Sequence, residues 1–221
     1  MTEDGRDEHP LLGAPRRDLA GTLFLSALTA LLLLLMATSV RDHIQQLDDA
    51  FLRRLVSIRS TPLTWVAKAL NVLGSAAVTL PARVLVAAFL ALRRRWWHLA
   101  AFASAVIASE IAIGAVKALY DRPRPPGTLV TVHGSSFPSG HAVAASVTAV
   151  AAVIALFPEG PRRFWWGFAA ALFSLVMGLS RAYLAAHWLS DAVAGVLLGT
   201  SFALVAAVVV HLIRERGLST G

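Results

Sequence analysis

Three short polar patches interrupt an apolar chain between residues 117 and 191. They are the stretch from Lys117 through Arg124 to Pro125, the tetrapeptide Pro138-Ser139-Gly140-His141, and Ser180-Arg181 followed by His187 and Asp191. Their residue types suit one tetrahedral anion. Lys117, Arg124 and Arg181 bring positive charge, and arginine presents a planar fork that matches phosphate oxygens. Ser139 stands where a helix would begin after Pro138. There it serves as both N-cap and hydroxyl donor, while Gly140 lets backbone N–H groups approach the anion. His187 and Asp191 are four apart and share one helical face. Asp191 is placed to accept the Nδ1 proton of His187. Nε2 is then free to attack phosphorus, with His141 as the acid for the leaving oxygen and later the base for water.

The elements that carry these groups are membrane-type. The chain has 221 residues, 57% of them hydrophobic and 15% charged, with a mean hydropathy of +0.65. Soluble domains are about half apolar and about a quarter charged. The apolar runs predict an all-α polytopic bundle of six transmembrane helices over 19–40, 63–92, 96–120, 139–157, 164–183 and 187–213. Residues 41–62 mix charge with Leu47, Phe51, Leu52 and Leu55, the spacing of a short interfacial helix. Gly74 and Pro81 predict a bend in the second span. Residues 1–18 read as a disordered cytoplasmic tail, and residues 19–216 as one six-helix membrane domain. The formal charge is +7 and there is no cysteine. The arginines lie at the ends of apolar runs, so no nucleic-acid partner is expected. Thiolate chemistry is excluded.

Six spans place both termini on one side. Ten arginines fall there (Arg6, Arg16, Arg17, Arg93 to Arg95, Arg162, Arg163, Arg214 and Arg216), against six in the opposite loops. The excess puts the termini in the cytoplasm and all three polar patches at the outer face. A cation within a span costs about 2.5–3.5 kcal/mol on insertion scales, a cost that a shared anion would offset. Glu110 sits mid-span, and Arg83 of the second span lies at similar depth as its expected partner; a Glu110 that stays protonated is the alternative. Gly195 and Gly199 form a small-residue seam that predicts close packing inside the bundle.

The patches resemble the signature motifs of the type 2 phosphatidic acid phosphatase family. KxxxxxxRP is filled by Lys117, Arg124 and Pro125. PSGH occupies 138–141, and SRxxxxxHxxxD is filled by Ser180, Arg181, His187 and Asp191. The resemblance implies a hydrolase of phosphomonoesters or pyrophosphates that uses no metal or other cofactor. Its catalytic histidine would be His187, its acid/base His141 and its orienting acid Asp191. Its phosphate binders would be Lys117, Arg124, Ser139, Gly140 and Arg181.

A site opening at headgroup depth between apolar spans suits a membrane lipid substrate. The first expectation is undecaprenyl pyrophosphate, dephosphorylated through a phosphohistidine at the outer face of a bacterial plasma membrane. Phosphatidic acid or phosphatidylglycerol phosphate is the alternative. A membrane protein that only binds or carries anions would need the cations but no oriented nucleophile. A vanadate-dependent peroxidase would share the pocket but not the spans. Asp121, Arg122 and His133 read as solvated loop residues, with contact to a second phosphate as the alternative for Arg122.

Overall fold

The computed structural model describes residues 10–12 and 15–219. These form eight helices: α1 (Pro15–Met36), α2 (Val40–Ser57), α3 (Thr61–Leu73), α4 (Ala76–Leu92), α5 (Trp96–Tyr120), α6 (Gly140–Leu156), α7 (Pro161–Tyr183) and α8 (Leu189–Ser219). Most of the expected tail lies outside the described residues. Where they begin, Leu11 and Leu12 are buried against Ala101, Ile154, Ala207 and Val208.

The protein is a multi-pass helical membrane protein. Four helices, α1, α5, α7 and α8, are long and apolar enough to cross a bilayer, and α3 with α4 makes a fifth crossing bent by 49°. The expected count of six is not reached on length and composition, because α6 has 17 residues. At 1.5 Å per residue that is about 26 Å, short of a hydrocarbon core of roughly 30 Å. This helix is central rather than lipid-facing. It packs on α8, α7, α5 and α4, and Ala142 through Val147 are all buried. Large apolar side chains instead cover the outside of the bundle, with Leu92 at 84% and Leu119 at 79% exposure, the surface that lipid covers.

Small residues let α8 and α6 meet backbone to backbone. A Cβ on Gly195 would stand 2.7 Å from the Ser139 carbonyl, and one on Gly199 would stand 2.6 Å from that of Val143. The small-residue seam is thus an internal packing surface. The expected bend falls at Gly74-Ser75, between α3 and α4. A Cβ on Gly74 would lie 2.8 Å from Met177 Sδ and 2.9 Å from His141 Cδ2. Glycine there lets the broken span close on the head of α6. The anticipated pair forms: Arg83 Nη1 donates to Glu110 Oε1 at 2.7 Å, and Arg83 Nε donates to Thr148 Oγ1 at 2.9 Å. The charged connector folds as α2. Its Asp48 is buried, while Leu47 beside it is 70% exposed.

Candidate active site

All the expected residues gather at one end of the bundle, because successive helices alternate direction. Lys117 lies in the last turn of α5 and Arg181 in the last turn of α7. Ser139 occupies the N-cap position of α6, followed by Gly140 and His141. Asp191 is in the first turn of α8. The reversal from α7 to α8 is tight. Ala185 takes a left-handed φ of 52°, and the N–H groups of Ala186 and His187 both donate to the Arg181 carbonyl, at 3.0 and 3.3 Å. That turn folds His187 back over Arg181.

His187 is 3% exposed, and both ring nitrogens have defined neighbours. Nδ1–H donates to the Ser136 carbonyl at 2.7 Å, and Nε2 lies 3.2 Å from Arg124 Nη1, whose N–H it can accept. This differs from the expectation that Asp191 takes the Nδ1 proton: Asp191 Oδ2 is 3.7 Å away, beyond hydrogen-bond length. Asp191 instead accepts from the Ser136 hydroxyl in a short contact. It also accepts from Trp188 N–H at 2.8 Å and from Arg122 Nη1 at 2.6 Å. It therefore holds the ring's true acceptor and supplies negative charge beside the ring. Burial pushes the imidazole down to about 4, against Asp191, which favours the charged form. The ring is thus neutral at physiological pH, with its lone pair on Nε2.

The cations differ in how fully they are engaged. Lys117 Nζ donates to the Ser135 carbonyl at 2.7 Å. Arg124 spreads its donors over the carbonyls of Gly134 at 2.9 Å, Ala186 at 2.7 Å, His133 at 2.7 Å and Ser135 at 3.2 Å. Together these two residues fix the loop that presents the Ser136 carbonyl. Arg181 is 2% exposed. Its Nη1 donates to Asn71 Oδ1 in a short contact, and its Nε is buried without a hydrogen-bond partner. Ser139 sits at the N-cap, but its side chain does not cap; its buried Oγ also lacks a partner. Arg181 and Arg124 are the charged groups facing His141, with the neutral His187 ring beside them. Two unspent buried donors beside a neutral imidazole and a guanidinium make a receptor for an anion that the imidazole can attack.

The profile of the PAP2 superfamily matches residues 96–215, more than half of the chain. The chain belongs to the PAP2 superfamily. Membership confirms the type 2 phosphatidic acid phosphatase resemblance read from the motifs and makes the chain a phosphatase, a hydrolase, by family. Among solved structures, it is similar to a transmembrane PAP2-type phosphatidylglycerolphosphate phosphatase from Bacillus subtilis, at 24% identity and a TM-score of 0.73. That match covers 88% of this chain and 96% of the other. It is also similar to LpxE of Aquifex aeolicus, at 21% identity and a TM-score of 0.59, covering 71% of this chain and 92% of the other. Both likenesses are likenesses of fold. No curated protein matches the sequence.

Several site residues of this PAP2 chain escape sequence reasoning. Arg122 is no solvated loop residue; it is 5% exposed. Asn71 reaches Arg181 from α3, the broken span. Ser136 acts through its carbonyl, a group every residue has. The one usable signal was composition: Asn71 is a polar residue inside an apolar run, as Glu110 is.

Proposed function

We propose that this protein is an integral membrane lipid phosphatase that works through a phosphohistidine at His187. The observation that carries the reading is the His187 ring. Its Nδ1 is tied to Ser136 at 2.7 Å, and its Nε2 faces Arg124 at 3.2 Å, with the free donors of Arg181 and Ser139 alongside. An anion-binding or transport protein would have no use for a ring held in that tautomer.

In this reading Arg181, Ser139, Lys117, Arg124 and the N–H groups at Gly140 hold the phosphoryl oxygens. The Nε2 lone pair of His187 attacks phosphorus, and the bond from phosphorus to the leaving oxygen breaks. His141 gives that oxygen its proton. His141 then takes a proton from water, whose oxygen displaces His187 and releases inorganic phosphate. Asp191 stabilises the cationic phosphoimidazole by charge and through Ser136. The sequence requires no metal or cofactor.

The topological reading follows. Counting α6 as a crossing gives six, with 19–216 as one domain. The arginine bias then puts the termini in the cytoplasm and the site at the outer face of a plasma membrane. The substrate is a lipid phosphate whose headgroup enters at that end, and undecaprenyl pyrophosphate is the first candidate. Phosphatidylglycerol phosphate, the substrate named for the Bacillus subtilis enzyme of similar fold, stands beside it; phosphatidic acid belongs to the same alternative. Phosphate release from these three lipids, wild type beside His187→Ala, tests the reading. Release from at least one, abolished by the substitution, is the expected result. No release from any, or an undiminished alanine variant, would reject it.

A further inference from the structure

The amphipathic helix α2 reaches the site through a buried carboxylate. Asp48 is 3% exposed. Its Oδ1 accepts the Ser190 N–H at 2.9 Å, and its Oδ2 accepts the Ser190 hydroxyl at 2.5 Å. Oδ2 also accepts from Arg122 Nη2 at 2.7 Å. Gln45, one turn earlier on α2, accepts from the same Nη2 at 2.6 Å. The other arm of the guanidinium, Nη1, donates to Asp191 Oδ1 at 2.6 Å and to Ser190 Oγ at 2.7 Å. The Trp188 ring centroid lies 5.5 Å from the guanidinium carbon.

One buried arginine thus serves two buried carboxylates, both at the first turn of α8, where free N–H groups and the helix dipole favour negative charge. Side-chain exposures are 4% for Arg122, 3% for Asp48 and 0% for Asp191, so solvent screens none of the three. Removing Asp48 would leave the whole charge of Arg122 to Asp191. Asp191 would then lend less negative charge to the imidazole. Oδ2 of Asp191 would also be held less firmly against Ser136, whose carbonyl orients His187.

We propose that Asp48, acting through Arg122, is a positioning residue for the His187–Asp191 pair. Helix α2 is thereby part of the reaction machinery, through a carboxylate that holds Arg122. The inference rests on His187 as the nucleophile and extends that reading to an element outside the three motifs and outside the family match at 96–215.

The test is steady-state kinetics on the full chain in detergent, with short-chain phosphatidic acid, phosphatidylglycerol phosphate and prenyl pyrophosphate as probes. Wild type is compared with Asp48→Asn, Asp48→Glu, Gln45→Ala and, as a surface control on α2, Leu47→Ala. Asp48→Asn is nearly isosteric. It is expected to lower kcat by about 10- to 100-fold, the loss found where the partner of an orienting group is removed, with KM within about twofold. Asp48→Glu restores part of kcat, and Leu47→Ala changes nothing. Should Asp48→Asn fail to fold, Gln45→Ala decides, with kcat expected to fall about threefold or more as Arg122 loses one acceptor. A wild-type kcat in folded Asp48→Asn or in Gln45→Ala overturns the proposal. So does a loss that merely tracks the unfolded fraction. If wild type is active, His187→Ala is dead and Asp48→Asn is as fast as wild type, only this inference falls. If wild type releases no phosphate, the functional reading falls with it.

Discussion

The imidazole of His187 is oriented by a backbone carbonyl: its Nδ1 donates to Ser136 O at 2.7 Å. The carboxylate four residues on, Asp191, stands 3.7 Å from the same nitrogen and grips the Ser136 hydroxyl instead. The orienting acid works at one remove, by fixing the residue whose carbonyl takes the proton. Ser136→Ala keeps that carbonyl but frees it from Asp191. It is expected to lower kcat by about 10-fold or more with little change in KM. Unchanged kcat in folded Ser136→Ala would return the orienting role to Asp191 alone.

The pH profile follows from burial. His187 is held down to about 4, against about 6.5 for an unperturbed imidazole. A depressed pKa keeps the nucleophile neutral as pH falls through 6.5, so its lone pair is lost to protonation only as pH nears 4. The acid limb of kcat/KM, corrected for ionisation of the substrate phosphate, should therefore lie well below 6.5. The same shift predicts folding stability that is complete above about 6.5 and declines towards 4, because the unfolded chain takes up the proton first. An acid limb at 6.5 or above would contradict the buried, neutral ring.

Asn71 holds Arg181 from the broken span. A hydrogen bond to a charged group is worth about 1.5–3 kcal/mol. Asn71→Ala is therefore expected to lower kcat/KM by about 10-fold or more, mainly through KM, because the guanidinium loses its aim at the phosphate. Competition by inorganic phosphate would weaken in parallel. Unaltered phosphate inhibition would make Asn71 a packing residue only.

Gly74 is required by its neighbours. A Cβ there would stand 2.9 Å from the His141 ring and 2.8 Å from Met177 Sδ, closer than packed carbons come. Gly74→Ala should cut kcat by displacing His141, and adding Met177→Ala should recover part of it by giving the new methyl room. Full activity in Gly74→Ala would show that the α3–α4 break does not set the position of His141.

The motif residues were legible because their charges stand at the ends of apolar runs, where a charge is costly and its purpose is read from spacing. Lys117, Ser139, Arg181 and His187 all meet as that pattern requires. The supporting residues left no comparable trace. Asp48 sits on an amphipathic helix among Asp42, Asp49, Arg53 and Arg54, and no periodicity marks it as the buried carboxylate. Arg122 follows Asp121 in a Pro-rich loop, where burial depends wholly on tertiary contacts. Ser136 contributes a main-chain oxygen, and its side chain does not encode that. The expected six spans exceed the five that length and composition give among the described residues for a related reason: α6 is enclosed by its neighbours and can be shorter than a lipid-facing span. The pairing of Arg83 with Glu110, by contrast, followed from depth alone, since a charge within the bilayer must find a partner.

The central claim is that Nε2 of His187 takes up the phosphoryl group. It is tested most directly by quenching the enzyme in alkali during turnover of a lipid carrying labelled phosphate, then mapping the label. The account predicts an alkali-stable, acid-labile label on the peptide holding His187, kinetically competent and absent from His187→Ala. Turnover with no label on that peptide, or label placed on His141 instead, would contradict it.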